Sequence, residues 1–119
     1  MAREFSRLRR IEGLISRRLA EIIHQEMADP RVGMIAVTGV VVSKDLAFAK
    51  IYFTTPGTAE EIAETARALN QAKGYLRTQL AQSCQLRATP ALKFIHDTSY
   101  MRANRIHDLL AQAMNSIHE

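Results

Sequence analysis

Apolar positions recur with helical spacing at both ends and in the middle of this chain, and with strand spacing in between. Leu8, Ile11, Ile15, Leu19, Ile22 and Ile23 share one face of a helix expected over about Ser6 to Met27. Asp29-Pro30 closes that helix, because the residue before a proline resists helical dihedrals. Met34 to Ser43 is rich in Val and Ile and reads as a strand. Ser43-Lys44-Asp45-Leu46 connects it to a second strand, Ala47 to Thr54. The second strand alternates, with Ala47, Ala49, Ile51 and Phe53 on one face and Phe48, Lys50 and Tyr52 on the other. Ala91 to His96 alternates as a third strand, with Leu92 and Phe94 together. Asp97 to Ala103 reads as a loop, with Ser99 and Asn104 as candidate caps. A last helix is expected from Arg105 to about Ile117, striped by Ile106, Leu109, Leu110, Ala113, Met114 and Ile117.

The central stretch from Thr58 to Leu86 organises the rest. Ile62, Ala66, Leu69, Leu76, Leu80 and Cys84 recur at helical steps. Thr58 followed by Glu61 is a capping box. Gly74 interrupts the pattern, since glycine inside a helix costs about 1 kcal/mol relative to alanine. On a straight helix Lys73, four residues after Leu69, would enter the apolar stripe. A bend near Ala72-Lys73-Gly74 would turn it outward, so the stretch reads as two helices that present Lys73 and Arg77 at a kink. The local pattern also admits one continuous core helix whose glycine allows close packing.

Charge changes the picture more than composition does. With 119 residues, 47% hydrophobic and 24% charged, the chain fits one soluble globular domain spanning 1–119. Its core is expected over about 6–97. No apolar run approaches the roughly 20 residues that cross a bilayer, and no secretory signal opens the chain. A single cysteine, Cys84, fits a reducing cytoplasm and a place in the core. The net charge is only +4, but it is segregated. Between Thr65 and Arg105, Arg67, Lys73, Arg77, Arg87, Lys93, Arg102 and Arg105 face a single acid, Asp97. Arg3, Arg7, Arg9, Arg10, Arg17 and Arg18 cluster in the first helix. Segregated cations suit a polyanion, because each phosphate neutralised releases a condensed counterion. A solvated surface with chance clustering is the competing reading.

Chemistry is hard to find. His24, His96, His107 and His118 are scattered without metal-ligand spacing, and the five glycines are isolated, so no phosphate loop is present. Cys84 has no evident base. The row Phe48-Lys50-Tyr52 could stack bases, although cross-strand packing with an exposed lysine is the blander and favoured account.

The order helix, strand, strand, helix, kink, helix, strand, helix resembles a type II KH domain, whose modules clamp a nucleic-acid backbone through a GxxG loop. Ala72-Lys73-Gly74-Tyr75-Leu76-Arg77 stands at that place instead. With it come the Arg-rich opening helix, the strand pair with its Ser43-Asp45-Leu46 turn and Ala49-Lys50, and Leu86-Arg87 with Pro90-Ala91-Leu92. Asp97 and the closing Ile106, Leu109 and Leu110 complete the set. Together these residues resemble the ribosome-binding factor A family. The resemblance implies an α+β, KH-like fold with a three-stranded mixed sheet packed by helices. It also implies a cytoplasmic, monomeric, non-enzymatic assembly factor that needs no cofactor. Such a factor binds the free 30S small ribosomal subunit, not the 50S subunit or the 70S ribosome. It assists late maturation and 16S rRNA processing near the 5′-terminal helix, and is linked to growth in the cold. Some members carry a longer charged tail than this chain.

An RNA-binding surface is therefore expected at the kink, with Ala72 and Gly74 forming the bend and Lys73 and Arg77 meeting phosphate. Arg87 and Lys93 are expected to extend it, with Arg7, Arg10, Arg102 and Arg105 as further contacts. A protein-interaction module using the terminal helix stripe is the rival from another class, and a small metabolic enzyme is the third.

Overall fold

The computed structural model describes residues 2–27, 34–84, 86 and 88–99. The predicted last helix, 105–117, lies outside the described residues, and so do Arg87, Arg102 and Arg105. The elements run α1 (Ala2–Glu26), β1 (Ala36–Val42), β2 (Phe48–Thr54), α2 (Ala59–Gln71), α3 (Lys73–Cys84) and β3 (Ala91–His96). The strands form one mixed sheet in the order β1-β2-β3. β1 and β2 are antiparallel, whereas β3 returns parallel to β2 after α2 and α3. A parallel return needs a crossover of this length, and the helices supply it.

All the described helices cover the same side of the sheet. Ile15, Leu19 and Ile23 of α1, Leu69 of α2, and Leu76 and Leu80 of α3 are buried there. They meet Val40 and Val42 of β1, Ala49, Ile51 and Phe53 of β2, and Leu92 and Phe94 of β3. Each fully buried Leu or Ile contributes about 1.5–3 kcal/mol by leaving water. The expected stripe of α1 thus forms its core face. The helix itself begins earlier than expected, at Ala2.

The hairpin between β1 and β2 is held locally. Ser43 and Leu46 close a turn, Leu46 N donating to Ser43 O at 2.9 Å. Leu46 adopts a left-handed backbone, φ 60°, unusual for a leucine, while its side chain packs against the core. Asp45 Oδ1 accepts from Ser43 Oγ at 2.6 Å and from Ala47 N at 3.0 Å. These bonds, the Ser43 hydroxyl first, hold the Asp45 pKa below its ordinary value. β1 carries a bulge between Val37 and Gly39, and the Thr38 hydroxyl reaches across to Asp97 Oδ2 at 2.7 Å. At the far end of β1, Glu12 of α1 accepts from Val42 N at 2.9 Å, which ties the helix to the strand.

Candidate nucleic-acid interface at the helix break

α2 starts on the capping box read from its sequence. Thr58 Oγ1 accepts from Glu61 N at 3.2 Å, and Glu61 Oε1 accepts from Thr58 N at 3.4 Å. The helix stops at Gln71. Ala72, at φ −90° and ψ 2°, leaves the helical region while keeping both sides of the ladder. Its N–H donates to Ala68 O and Leu69 O at 3.1 and 3.2 Å, and its carbonyl accepts from Leu76 N at 2.9 Å. The chain therefore bends at one residue, without a loop.

The bend resolves the conflict between Lys73 and the apolar stripe. Leu69 before it and Leu76 and Leu80 after it stay buried, while Lys73, Gly74, Tyr75 and Arg77 are exposed. The continuous-helix alternative is overturned twice: the helix is broken at Ala72, and Gly74 serves no close packing. A Cβ built on Gly74 would meet nothing within 4 Å. What the glycine leaves bare is backbone open to the outside, where a ligand can come close.

Electrostatically the break suits an anion. Lys73 makes no ion pair with a described residue, and no acid stands in the first turn of α3. The acids of α2 are Glu60 and Glu61 in its first turn and Glu64 in its second, all in the half away from the break. The C-terminal end of α2 abuts the N-terminal end of α3 at Ala72, so their peptide dipoles offset there and the ammonium of Lys73 supplies the charge.

Two contacts that the sequence pattern did not reveal hold the break in place. Asn70, two residues before Ala72, pairs with β3 through its side-chain amide. Nδ2 donates to Phe94 O at 3.1 Å, and Phe94 N donates to Oδ1 at 3.0 Å. The Asn70 amide thus substitutes for a neighbouring strand at the outer edge of β3. Arg77 Nε and Nη2 both donate to Thr89 O, at 3.1 and 2.8 Å, and clamp the segment that leads into β3. Arg77 was expected to meet phosphate; it keeps its charge, but two of its donors are engaged within the fold.

The remaining predicted contacts divide. Arg7 and Arg10 are exposed on α1, which packs on α3 as well as β1. Lys93 is exposed too, but it does not extend the kink surface. β3 alternates, and Leu92 and Phe94 face the helices, so Lys93 points from the opposite side of the sheet. Tyr75, half-exposed beside Gly74, is an aromatic at the break that charge-based reasoning passed over. Among the described residues no group of three or more His, Cys, Asp or Glu side chains could hold a metal ion. No described helix is long and apolar enough to cross a membrane. His96 packs edge-on against Phe53, ring centroids 5.8 Å apart, as a structural side chain would.

Comparison with known proteins settles the kinship of this arrangement. The family model for ribosome-binding factor A matches residues 7–110. The chain belongs to the ribosome-binding factor A family. A ribosome-binding factor A from Pseudomonas syringae pv. syringae is 45% identical over 116 residues, covering 96% of this chain and 84% of that protein. The crystal structure of ribosome-binding factor A from Thermus thermophilus superposes with a TM-score of 0.67 at 31% identity, covering 75% of this chain and 94% of that one. A Thermus thermophilus ribosome-binding factor A homology model, fitted into a cryo-EM map of its 30S complex, gives 0.61 at 32% identity, covering 72% and 90%. The KH-like α+β fold expected from the order of elements is thus the fold of the family's solved members.

Proposed function

We propose that this chain is a non-enzymatic assembly factor that binds the free 30S subunit and not the 50S subunit or the 70S ribosome. In this reading it acts as a cytoplasmic monomer without a cofactor. It assists late maturation and 16S rRNA processing near the 5′-terminal helix and supports growth in the cold. The observation that carries the reading is Lys73 at the break between α2 and α3, without an ion pair among the described residues and beside the bare backbone of Gly74, in a chain of this family. The Thermus relative fitted into a 30S complex supports the choice of subunit.

Specificity comes from shape. The break offers a cation and accessible backbone, which position a phosphate chain without reading its bases. Arg7 and Arg10 add exposed charge on α1, and Arg87, Arg102 and Arg105 are proposed as further contacts. Co-sedimentation with purified 30S subunits, 50S subunits and 70S ribosomes tests the reading. Retention by 30S subunits alone supports it, and equal retention by all three overturns it.

A further inference from the structure

β2 runs through the middle of the sheet, and its two faces differ in chemistry. Ala49, Ile51 and Phe53 are buried against the helices, while Phe48, Lys50 and Tyr52 point away from them. The register puts Val41 of β1 on one side of Lys50 and Lys93 of β3 on the other. Phe48 is 66% exposed and Val41 53%, although both are large and apolar. Lys50 and Lys93 are exposed, and neither makes an ion pair with a described residue.

Two ammonium groups directly opposite on adjacent strands repel each other, so this face carries an electrostatic cost within the fold. A protein surface closing over it would have to strip water from both ammonium groups and supply acids for them. A strand of nucleic acid meets both features at once, with phosphate between the lysines and base faces on the exposed ring of Phe48 and the part-exposed ring of Tyr52. Phe48 and Tyr52 are four residues apart on β2, about 13 Å, with Lys50 midway, so ring, cation and ring lie along one line. The acids at the two ends of the face are already engaged. Asp45 accepts from Ser43 and Ala47, and Asp97 accepts from Thr38 and from Ser99.

We propose that this open sheet face is a second nucleic-acid site, which takes single-stranded RNA by stacking on Phe48 and Tyr52 and by phosphate contacts to Lys50 and Lys93. It lies across the sheet from the helix break and does not rest on the role given to that break. Two RNA segments could then be held on opposite sides of one small domain.

Fluorescence anisotropy of the full chain with a short labelled oligouridylate, against an RNA duplex of equal length, tests this. Single strand is expected to bind in preference to duplex, because stacking needs unpaired bases. Phe48→Ala is expected to weaken binding about ten-fold. The double variant Lys50→Gln/Lys93→Gln is expected to weaken it as well and to flatten the salt slope by about 1.4, roughly 0.7 for each lysine. Its melting temperature should hold or rise, since the repulsion is gone, which separates lost binding from lost folding. In a Lys73→Gln background, which removes the cation of the break, Phe48→Ala is expected to weaken oligouridylate binding by the same factor. No binding by the wild type, or loss with Lys73→Gln and not with the sheet variants, overturns the proposal. So does unchanged oligouridylate binding in sheet variants that no longer co-sediment with 30S subunits, because the face would then dock a ribosomal protein. If the wild type fails to co-sediment but the sheet variants still lose oligouridylate, the reading of the break fails and this one stands.

Discussion

Asn70 on α2 holds Phe94 on β3 by both ends of its side-chain amide, at 3.1 and 3.0 Å. This pair fixes the end of α2, and so the position of the break, to the rigid sheet. Asn70→Ala would leave the edge-strand amide of Phe94 without its partner, a loss of about 1–3 kcal/mol for a partly buried group. Asn70→Asp is expected to cost at least as much at neutral pH, because it sets a carboxylate oxygen against the Phe94 carbonyl. Urea unfolding measures both, and hydrogen exchange at the Phe94 amide should quicken in each variant.

The Arg77 clamp on Thr89 separates charge from geometry. Arg77→Lys keeps the cation and loses the paired donation, since an ammonium lacks the planar fork. Its stability should fall by about 1 kcal/mol while the salt dependence of RNA binding stays close to that of the wild type. Arg77→Ala should lose both. A lysine variant with full stability would mean that the contact with Thr89 holds nothing.

Gly74 is kept against its own helix. Open space surrounds it, and its backbone is not in the left-handed region, so alanine fits without strain. Gly74→Ala is expected to raise stability by about 1 kcal/mol and yet weaken binding to 30S subunits, because a methyl group would stand off the ligand. Thermal unfolding and co-sedimentation on the same variant check the two signs.

How much of this was legible in the sequence depends on distance along the chain. The capping box of Thr58 and Glu61 and the stripe through Leu69, Leu76 and Leu80 are local and periodic, and spacing revealed them, whereas it left the outward turn of Lys73 as one of two readings. Asn70 with Phe94, Arg77 with Thr89 and Glu12 with Val42 join residues far apart that belong to no period, so only the assembled fold shows them. Lys93 was misplaced for a different reason. Its charge was grouped with Lys73 by sequence neighbourhood, although the alternation of Leu92 and Phe94 already assigned it to the other face of β3. The continuous-helix alternative survived in the sequence because Gly74 can signal either close packing or a break.

The turn at Asp45 makes the fold sensitive to acid. Its pKa is lowered in the folded protein, chiefly by the Ser43 hydroxyl and then by the Ala47 amide. A carboxylate with a depressed folded pKa adds stability that is full above the unfolded value, about 3.9, and is lost as pH falls through the folded value. Asp45→Asn keeps both acceptor contacts and removes the charge. The stability gap between wild type and variant should be constant above about pH 5 and close below pH 4. A gap that grows on acidification would show the reverse sign.

The most direct test of the account is the salt dependence of binding to purified 30S subunits by wild type and Lys73→Ala, with thermal unfolding of both. Lys73 is exposed and makes no ion pair with a described residue, so the fold should not notice its loss. The account predicts an unchanged melting temperature, weaker binding, and a salt slope shallower by about 0.7–0.9, the value of one phosphate contact. Equal affinity and equal slope would contradict it.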